Sequence, residues 1–565
     1  MFRMLKTLSP TALALTLTLL GVTPALPDDS NGDGGRHVLL ISIDGMHALD
    51  FENCVSSNTC PNLKALGKTG VNYTRTSTSR PSDSFPGLMA LVTGGTPKTV
   101  GAYYDVAYDR VLAPPMRATG NGLLGGTCTP KQPNGTRTEY EEGVDIDQSK
   151  LTGGSPLYTN PIDGGFLSID PTRLPRDPYD GCKPVYPWNF IRANTIYGVI
   201  HKAGRYTAWA DKHAVYAAVS GPTGTSTPSN VDDYYAPDVN SNVVALQGLT
   251  TAIGVNCATI PISGAWTDGF DSVKCNDQLK VNAVLNWING KTHLGGKNAP
   301  VPAIFGMNFQ AVSVGQKLIA GGITGGYTDA AGTPTAAMLA EIEYVDAAIG
   351  QMVTALRNRD LFDSTTIVIT AKHGQSPVDT HRFFPIPGHS GANGTPPSGV
   401  LGSPYLPDSE INQIGPTEDD ISLLWLTPGT DTVSAVNLLE NNAKAAGIGQ
   451  IFYGSSIETM YNMPGLPPNG DPRTPDIIVQ PNVGVVYTGS LKKQAEHGGF
   501  AHDDTNVMLL VSNPNIKAKT VTSFVETTQV APTILSILGL DPNALTAVQA
   551  EGTQVLPGFG QQPQN

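Results

Sequence analysis

The sequence is poor in charge: only 15% of its 565 residues are Asp, Glu, Lys or Arg, and the formal net charge is −13. It has no long run of Lys or Arg, so the basic footprint of a nucleic-acid-binding protein is missing. Glycine and proline are abundant, with 62 and 45 residues, but glycine does not recur periodically, which excludes collagen. The length suits either about three to four domains or one large α/β enzyme with insertions.

Beyond the first residues of the chain, the sequence has no apolar run long enough to span a membrane. Residues 1–25 are typical of a signal peptide: Arg3 and Lys6 precede an apolar stretch at 12–20, and small residues follow at 23–25. Residues 26–35 are predicted to be a flexible leader. We therefore predict a secreted or periplasmic protein with no membrane span after signal cleavage; the sequence leaves the oligomeric state open.

The chain has six cysteines and no CxxC pair, which argues against a thiolate zinc site. All six lie after the predicted signal peptide, which suits an oxidising compartment. Of the fifteen possible pairings we favour the one that joins neighbours in sequence: Cys54–Cys60, Cys128–Cys182 and Cys257–Cys275.

Continuous apolar runs predict strands that are buried on both faces of a parallel sheet. They lie at residues 37–44, 206–210, 301–308, 365–370 and 507–511, and the clearest helical periodicity lies at 334–359. The predicted fold is α/β, a doubly wound and mostly parallel sheet with helices on both faces. One catalytic domain at 36–545 is expected, with loop-rich insertions near 105–187, 217–300 and 385–475 and a tail at 546–565.

Polar residues follow several of these strands, where ligands bind in such sheets. The segments are Ile43-Asp44-Gly45, Ser82-Asp83-Ser84-Phe85-Pro86, Lys372-His373-Gly374 and Glu496-His497-Gly498. With Leu91-Val-Thr-Gly94, they resemble the type I phosphodiesterase/nucleotide pyrophosphatase family of the alkaline phosphatase superfamily. The matching pieces span residues 37–109, 301–376 and 476–540, so an alkaline phosphatase-like fold is expected.

The resemblance implies a hydrolase that forms a phosphoryl-enzyme intermediate on Ser84, with two zinc ions nearby. It implies metal-binding roles for Asp44, Ser84, His373 and His497. Phe85 falls where the family stacks an aromatic ring on the nucleobase, and Asp105 falls on a phosphate-binding asparagine.

The chain departs from the family pattern at three further positions. A metal-binding aspartate and histidine are replaced by Val312 and Gln316, and the aspartate of Asp-His-Gly is replaced by Lys372. Valine cannot bind zinc, and a protonated lysine cannot bind any metal, so fewer than two ions are expected. We take Phe85, Asp105 and Gln316 as candidate substrate-binding residues.

Three interpretations remain open. One divalent ion, most favourably zinc, persists at Asp44, Ser84 and His373; or no ion binds and Lys372 supplies its charge; or the site is inactive and the protein binds a ligand. We favour hydrolysis of a phosphate ester or nucleotide, with Ser84 and Lys372 as catalytic residues. A sulfatase-like hydrolase ranks lower, because Ser82 and Ser84 lack the motif that is converted to formylglycine.

Overall fold

The computed structural model describes residues 35–140, 147, 150, 165–241, 246–260, 265–387 and 395–559. The predicted signal peptide and nearly all of the predicted leader lie outside these residues. Within them, no helix is both long and apolar enough to cross a membrane.

An eight-stranded sheet forms the centre of the fold, in the order β8-β2-β7-β6-β1-β5-β3-β4. Only β7 runs antiparallel to its two neighbours, β6 and β2, so the predicted doubly wound, mostly parallel sheet is confirmed. The strands are β1 (His37–Ile43), β2 (Gly70–Tyr73), β3 (Ala208–Ala210), β4 (Asp233–Tyr235), β5 (Ile304–Phe309), β6 (Thr365–Thr370), β7 (Leu510–Ser512) and β8 (Lys519–Val521).

Strand β1 shows why the sheet is buried on both faces. All seven of its residues are buried, and successive side chains point to opposite faces of a strand. Leu39, Ile41 and Ile43 therefore join one hydrophobic core, whereas Val38 and Leu40 join the other. The continuous apolar run in the sequence is the signature of this two-sided packing.

Helices cover both faces of the sheet. The predicted helix at 334–359 is confirmed as Ala336–Asn358, and the Thr335 hydroxyl caps it by accepting a hydrogen bond from the Met338 N–H at 3.3 Å. The longer helices are α1 (Ala48–Ser57), α2 (Pro61–Gly67), α3 (Ser84–Thr93), α4 (Ile196–Lys202), α5 (Phe270–Ile288), α6 (Ala311–Lys317), α7 (Ala336–Asn358), α8 (Pro397–Tyr405), α9 (Thr432–Asn441) and α10 (Val530–Ile537).

The region predicted as an insertion at 217–300 contributes to this core. It supplies edge strand β4 and the 19-residue helix α5, which packs against α7. The amphipathic pattern of α5 is hidden in the sequence because its inward face carries charge: the Lys274 ammonium lies 2.8 Å from Glu341, and Lys280 lies 2.8 Å from Asp277. Buried ion pairs made a core helix resemble a polar insertion.

A smaller antiparallel sheet stands apart from the central one and overlaps the predicted insertion at 385–475. Its strands, in spatial order, are Thr417–Glu418, Ser422–Leu424, Ile477–Pro481 and Ile448–Tyr453. Beyond it, the predicted tail contains the helix Thr546–Glu551, and the Tyr73 hydroxyl donates to the Pro557 carbonyl at 2.8 Å. That segment is therefore packed on the domain.

Short elements complete the described chain. The short helices are Pro97–Val100, Pro187–Phe190, Asp408–Ile411, Ser455–Met460 and His502–Thr505, with 3-10 turns at Phe166–Ser168, Pro171–Arg173, Ala214–Ser220, Trp266–Asp268, Thr380–Arg382, Thr527–Gln529 and Pro542–Ala544. The short strands are Thr76–Ser77, Val106–Asp109, Thr136–Glu139, Arg176–Asp177, Lys183–Pro184, Ile319–Ala320, Ile323–Thr324, Phe384–Pro385, Val485–Val486, Asn506–Val507 and Val525–Glu526.

The three predicted disulfides are confirmed. Cys54–Cys60, Cys128–Cys182 and Cys257–Cys275 are bonded, and no cysteine in the described part of the chain is free. Each bond joins a cysteine to the next cysteine along the chain.

Candidate active site

Polar side chains gather where four adjacent parallel strands end. Asp44 follows β1, Asn308 lies near the end of β5, and the pairs Asp211-Lys212 and Lys372-His373 follow β3 and β6. Because the carboxyl ends of parallel strands meet at one edge of the sheet, these side chains converge. All of them are buried.

Ser84 meets this cluster as the first residue of helix α3. Asp83 precedes it as the N-cap, and its Oδ2 accepts a hydrogen bond from the Phe85 N–H at 3.0 Å. The Ser84 hydroxyl therefore lies at the positive end of a ten-residue helix, where a phosphoryl group on that oxygen is electrostatically favoured.

The hydrogen bonds of His373 fix the direction of its contact with Ser84. Its Nδ1 lies 2.8 Å from the Gly374 carbonyl oxygen, which can only accept, so Nδ1 carries a proton. Burial lowers the pKa of His373 to about 4, which leaves the ring neutral and Nε2 unprotonated. The Ser84 hydroxyl, 3.1 Å away, donates to Nε2. This is the geometry of a hydroxyl beside a general base.

Lys212 contacts the same hydroxyl from another direction. Its ammonium donates to Ser84 Oγ at 3.1 Å and to Asp44 Oδ2 at 3.2 Å. The Asn308 amide donates to the same carboxylate oxygen at 3.1 Å. Burial raises the pKa of Asp44, but Lys372 and Lys212 outweigh that effect and leave its pKa below the ordinary value. Asp44 is therefore a carboxylate.

Lys372 forms a second buried pair beside the first. Its ammonium donates to Asp211 Oδ1 at 3.1 Å and lies 4.1 Å from the centre of the Tyr216 ring. Burial lowers the pKa of Lys372, while Asp211 and Asp44 oppose that shift. Lys212 is thus the cation in contact with Ser84, whereas Lys372 contacts Asp211.

His497 connects the buried cluster to a polar cavity. Its ring centre lies 4.0 Å from that of His373, and its Nδ1 lies 3.5 Å from Asp83 Oδ1. Burial, with the positive groups around it, holds the pKa of His497 well below the ordinary value. The cavity has a volume of about 280 Å³, and its lining includes Tyr104, Asp105, Arg137, Lys317, Asp419, Lys493, Glu496 and His497.

Of the three candidate substrate-binding residues, Phe85 and Gln316 are buried, whereas Asp105 is half-buried. Phe85 packs among Tyr140, Phe190 and Tyr216 in the hydrophobic core. Asp105 lies at the cavity, where its own N–H donates to Asp83 Oδ2 at 3.0 Å. A substrate contact remains a prediction for all three positions, and the location of Asp105 suits it best.

Gln316, the third candidate, belongs to a hydrogen-bond network under the site. Its amide donates to the Gly45 carbonyl at 2.6 Å and to the Tyr327 hydroxyl at 2.8 Å. Tyr327 in turn donates to Asp50 at 2.9 Å. Val312 is buried in the adjacent hydrophobic core. A network of side-chain hydrogen bonds therefore lies where the family resemblance implies metal ligands.

Lys212 and Asp211 were missed by sequence reasoning, although a signal was present. They directly follow the apolar strand at 206–210, just as Asp44 follows β1 and Lys372 follows β6. The family resemblance drew attention to the other strand ends instead, because its matching pieces do not include this segment.

The donors at Ser84 do not fit the zinc ions that the resemblance implies. Zinc in proteins takes three or four N, O or S ligands. Within the described residues, no three His, Cys, Asp or Glu side chains form a group that could hold a metal ion. Among the described residues Asp44 Oδ1 has no hydrogen-bond partner, but one oxygen is not a ligand set, and the Lys212 ammonium already lies between Asp44 and Ser84.

The fold and the strand-end serine, histidine and carboxylate define a hydrolase of the alkaline phosphatase-like class. The family model for Type I phosphodiesterase / nucleotide pyrophosphatase matches residues 38–129 and 188–504. The chain therefore belongs to this family and is a phosphodiesterase-type hydrolase, as the sequence motifs predict. No curated protein matches the chain.

Solved structures agree on the fold. Murine ectonucleotide pyrophosphatase/phosphodiesterase 5 matches with a TM-score of 0.51 at 14% identity, covering 90% of this chain and 96% of the other. An inactive variant of that murine protein, in complex with AMP, matches with the same TM-score, identity and coverage. At this identity the likeness establishes the alkaline phosphatase-like fold alone.

Proposed function

We propose that this protein is an exported hydrolase of phosphodiester or nucleotide pyrophosphate bonds, with Ser84 as its nucleophile. The observation that carries the proposal is the hydrogen bond from the Ser84 hydroxyl to Nε2 of His373, at the first turn of helix α3. A nucleophile, a base and a helix N-terminus on one oxygen are the parts that phosphoryl transfer to a hydroxyl requires.

The reaction proceeds in two displacements at phosphorus. In the first, Ser84 Oγ bonds to phosphorus while its proton passes to Nε2 of His373. The bond from phosphorus to the leaving oxygen breaks, and that oxygen keeps the bonding pair and takes the proton from His373. In the second, a water molecule gives a proton to His373 and attacks phosphorus, which releases Ser84 with its proton restored.

A nucleotide substrate is favoured by the cavity at His497. Its lining is polar and carries three cations, Lys317, Lys493 and Arg137, among four acidic residues, Asp105, Glu418, Asp419 and Glu496. Lys317 and Lys493 both pair with Glu496. The murine neighbour's structure with AMP supports the same substrate class. We propose that the phosphate enters from this cavity past His497, since Ser84 is only 1% exposed.

Export is supported by the three disulfides, which form and persist in oxidising compartments. Together with the signal-peptide pattern of residues 1–25, they favour a secreted or periplasmic protein.

Hydrolysis of bis(p-nitrophenyl) phosphate by wild type, Ser84→Ala and Ser79→Ala tests the nucleophile. Ser79 is a buried serine whose hydroxyl donates to the Pro86 carbonyl, so Ser79→Ala is a matched control. We expect Ser84→Ala to lose about 10³-fold or more in kcat, with Ser79→Ala close to wild type. Equal turnover by Ser84→Ala and wild type would refute the nucleophile. No turnover by wild type would favour a binding protein on the same fold.

A further inference from the structure

Lys212 has a position that neither the family resemblance nor the motifs assign. Its ammonium is within hydrogen-bond distance of both the Ser84 hydroxyl and the Asp44 carboxylate. Its side chain is 7% exposed, and that of Asp44 is fully buried. A cation held between a nucleophilic oxygen and a carboxylate occupies the place in which a metal ion would activate that oxygen.

We propose that Lys212 is a catalytic residue that replaces the divalent metal, so that Ser84 reacts without a metal ion. The proposal rests on the proposed function of Ser84. The ammonium stabilises the negative charge that develops on Ser84 Oγ as the proton passes to His373. It then faces the phosphoryl oxygens, and the same fixed charge acts in both displacements.

The charge balance of the buried cluster supports this role. Two carboxylates, Asp44 and Asp211, face two ammonium groups, Lys212 and Lys372, at 3.2 and 3.1 Å. The charges of these four groups are therefore matched. A zinc ion would add two positive charges to a site where burying unbalanced charge is costly.

The Asp211–Lys372 pair holds this arrangement in place. Asp211 Oδ1 accepts from the Lys372 ammonium and also from the Lys212 backbone N–H at 2.8 Å. Its Oδ2 accepts from the Trp209 indole at 3.0 Å. Asp211 thereby fixes the backbone of Lys212 at the end of β3, and Lys372 is a positioning residue.

Metal analysis of wild-type protein tests the proposal without any substitution. The protein is dialysed against a chelator, its metal content is measured by mass spectrometry, and hydrolysis of bis(p-nitrophenyl) phosphate is followed before and after. We expect substoichiometric metal and an unchanged rate. A stoichiometric ion whose removal abolishes turnover, and whose return as zinc restores it, would overturn the role of Lys212 while leaving Ser84 intact.

Substitutions of Lys212 supply the second arm. Lys212→Met removes the ammonium at similar volume, and we expect kcat to fall by about 10²–10³-fold with little change in KM. Lys212→Arg keeps the charge and is expected to recover part of the loss. Lys274→Met is the control, because it breaks another buried pair, with Glu341, away from the site. It should lower the melting temperature and keep kcat per folded molecule.

The outcomes separate the two proposals. Wild-type kcat in Lys212→Met overturns the role of Lys212. No turnover in the wild type overturns both the role of Lys212 and the proposed function. If Lys212→Met does not fold, Lys212→Arg and the chelation experiment decide. If turnover needs no metal but does need Ser84 and a cation at position 212, the proposed function and the role of Lys212 are both supported.

Discussion

The protonation states of single residues set the chemistry of this site. Burial keeps His373 neutral, with a pKa of about 4, while Lys372 and Lys212 keep Asp44 ionised. Ser84 therefore faces an unprotonated nitrogen on one side and an ammonium on the other. The base accepts the hydroxyl proton and the cation stabilises the charge left on the oxygen, so the two together activate a hydroxyl more than either would alone.

The acid limb of activity should follow from His373. Its folded pKa of about 4 lies below the ordinary value of 6.5, so Nε2 accepts the Ser84 proton at all pH values well above 4. We expect kcat/KM to stay level as the pH falls through 6.5 and to decline only near 4, in a pH–rate profile. An acid limb near 6.5 would contradict the assigned environment.

The same shift has a consequence for stability. The unfolded chain takes up a proton on His373 near its ordinary pKa of 6.5, whereas the folded chain does so only near 4. Between these values the unfolded state binds more protons, so the contribution of His373 to folding stability is full above about pH 6.5 and is lost as the pH falls toward 4.

At the scale of elements, helix α3 is pressed against the segment after β6. The backbone carbonyl of Lys372 approaches Gly87 so closely that a Cβ there would lie 2.2 Å from the carbonyl oxygen. All ten residues of α3 are buried, so the helix has little room to move. This contact holds Ser84 at a fixed distance from His373.

We expect Gly87→Ala to displace α3 from Lys372 and His373. It should destabilise the fold by about 1–3 kcal/mol and lower kcat, measured by urea unfolding and by bis(p-nitrophenyl) phosphate hydrolysis. Gly67→Ala is the control, because a Cβ at Gly67 in α2 meets nothing closer than 3.9 Å. Gly67→Ala should be neutral or stabilising. Unchanged stability in Gly87→Ala would contradict the close contact.

The elements also show where local sequence reasoning works. A continuous apolar run predicts strand β1, and apolar residues at helical spacing predict helix α7. Helix α5 was not predicted, because Lys274 and Lys280 are buried by pairing with Glu341 and Asp277. Partners that stand far away in sequence, such as Glu341, are invisible to a local pattern.

At the scale of the whole molecule, the described chain is built around one eight-stranded sheet with a hydrophobic core on each face. The region at 217–300 and the segment after residue 545 pack onto that structure. The short antiparallel sheet at 417–481 forms cores of its own, separate from those of the central sheet. The polar cluster around Ser84 and the cavity at His497 lie on the carboxyl-end side of the central sheet.

The disulfides should contribute more to global stability when they close a longer loop, with a logarithmic dependence on loop length. Cys128–Cys182 spans 54 residues and Cys54–Cys60 spans 6. Loop entropy predicts losses of about 4 and about 2 kcal/mol when each pair is changed to serine. Urea unfolding of the two double variants measures the difference. A larger loss from Cys54/Cys60 would mean that native packing, rather than loop closure, dominates.

Strands β1, β3, β5, β6 and β7, helix α7, the disulfide pairing and the family follow from the sequence alone, because each rests on an apolar run, a periodicity, the order of the cysteines or a motif. The same motifs name Ser84, Asp44, His373 and His497 as candidate site residues, and their roles stay predictions. The identity of the cation that contacts Ser84 is visible only in the folded structure. Lys372 and Lys212 both follow strands, but β3 and β6 reach the site from different positions in the sheet. That separation brings the Lys372 ammonium to Asp211 and the Lys212 ammonium to Ser84, since strand order sets where along the edge of the sheet each side chain lies.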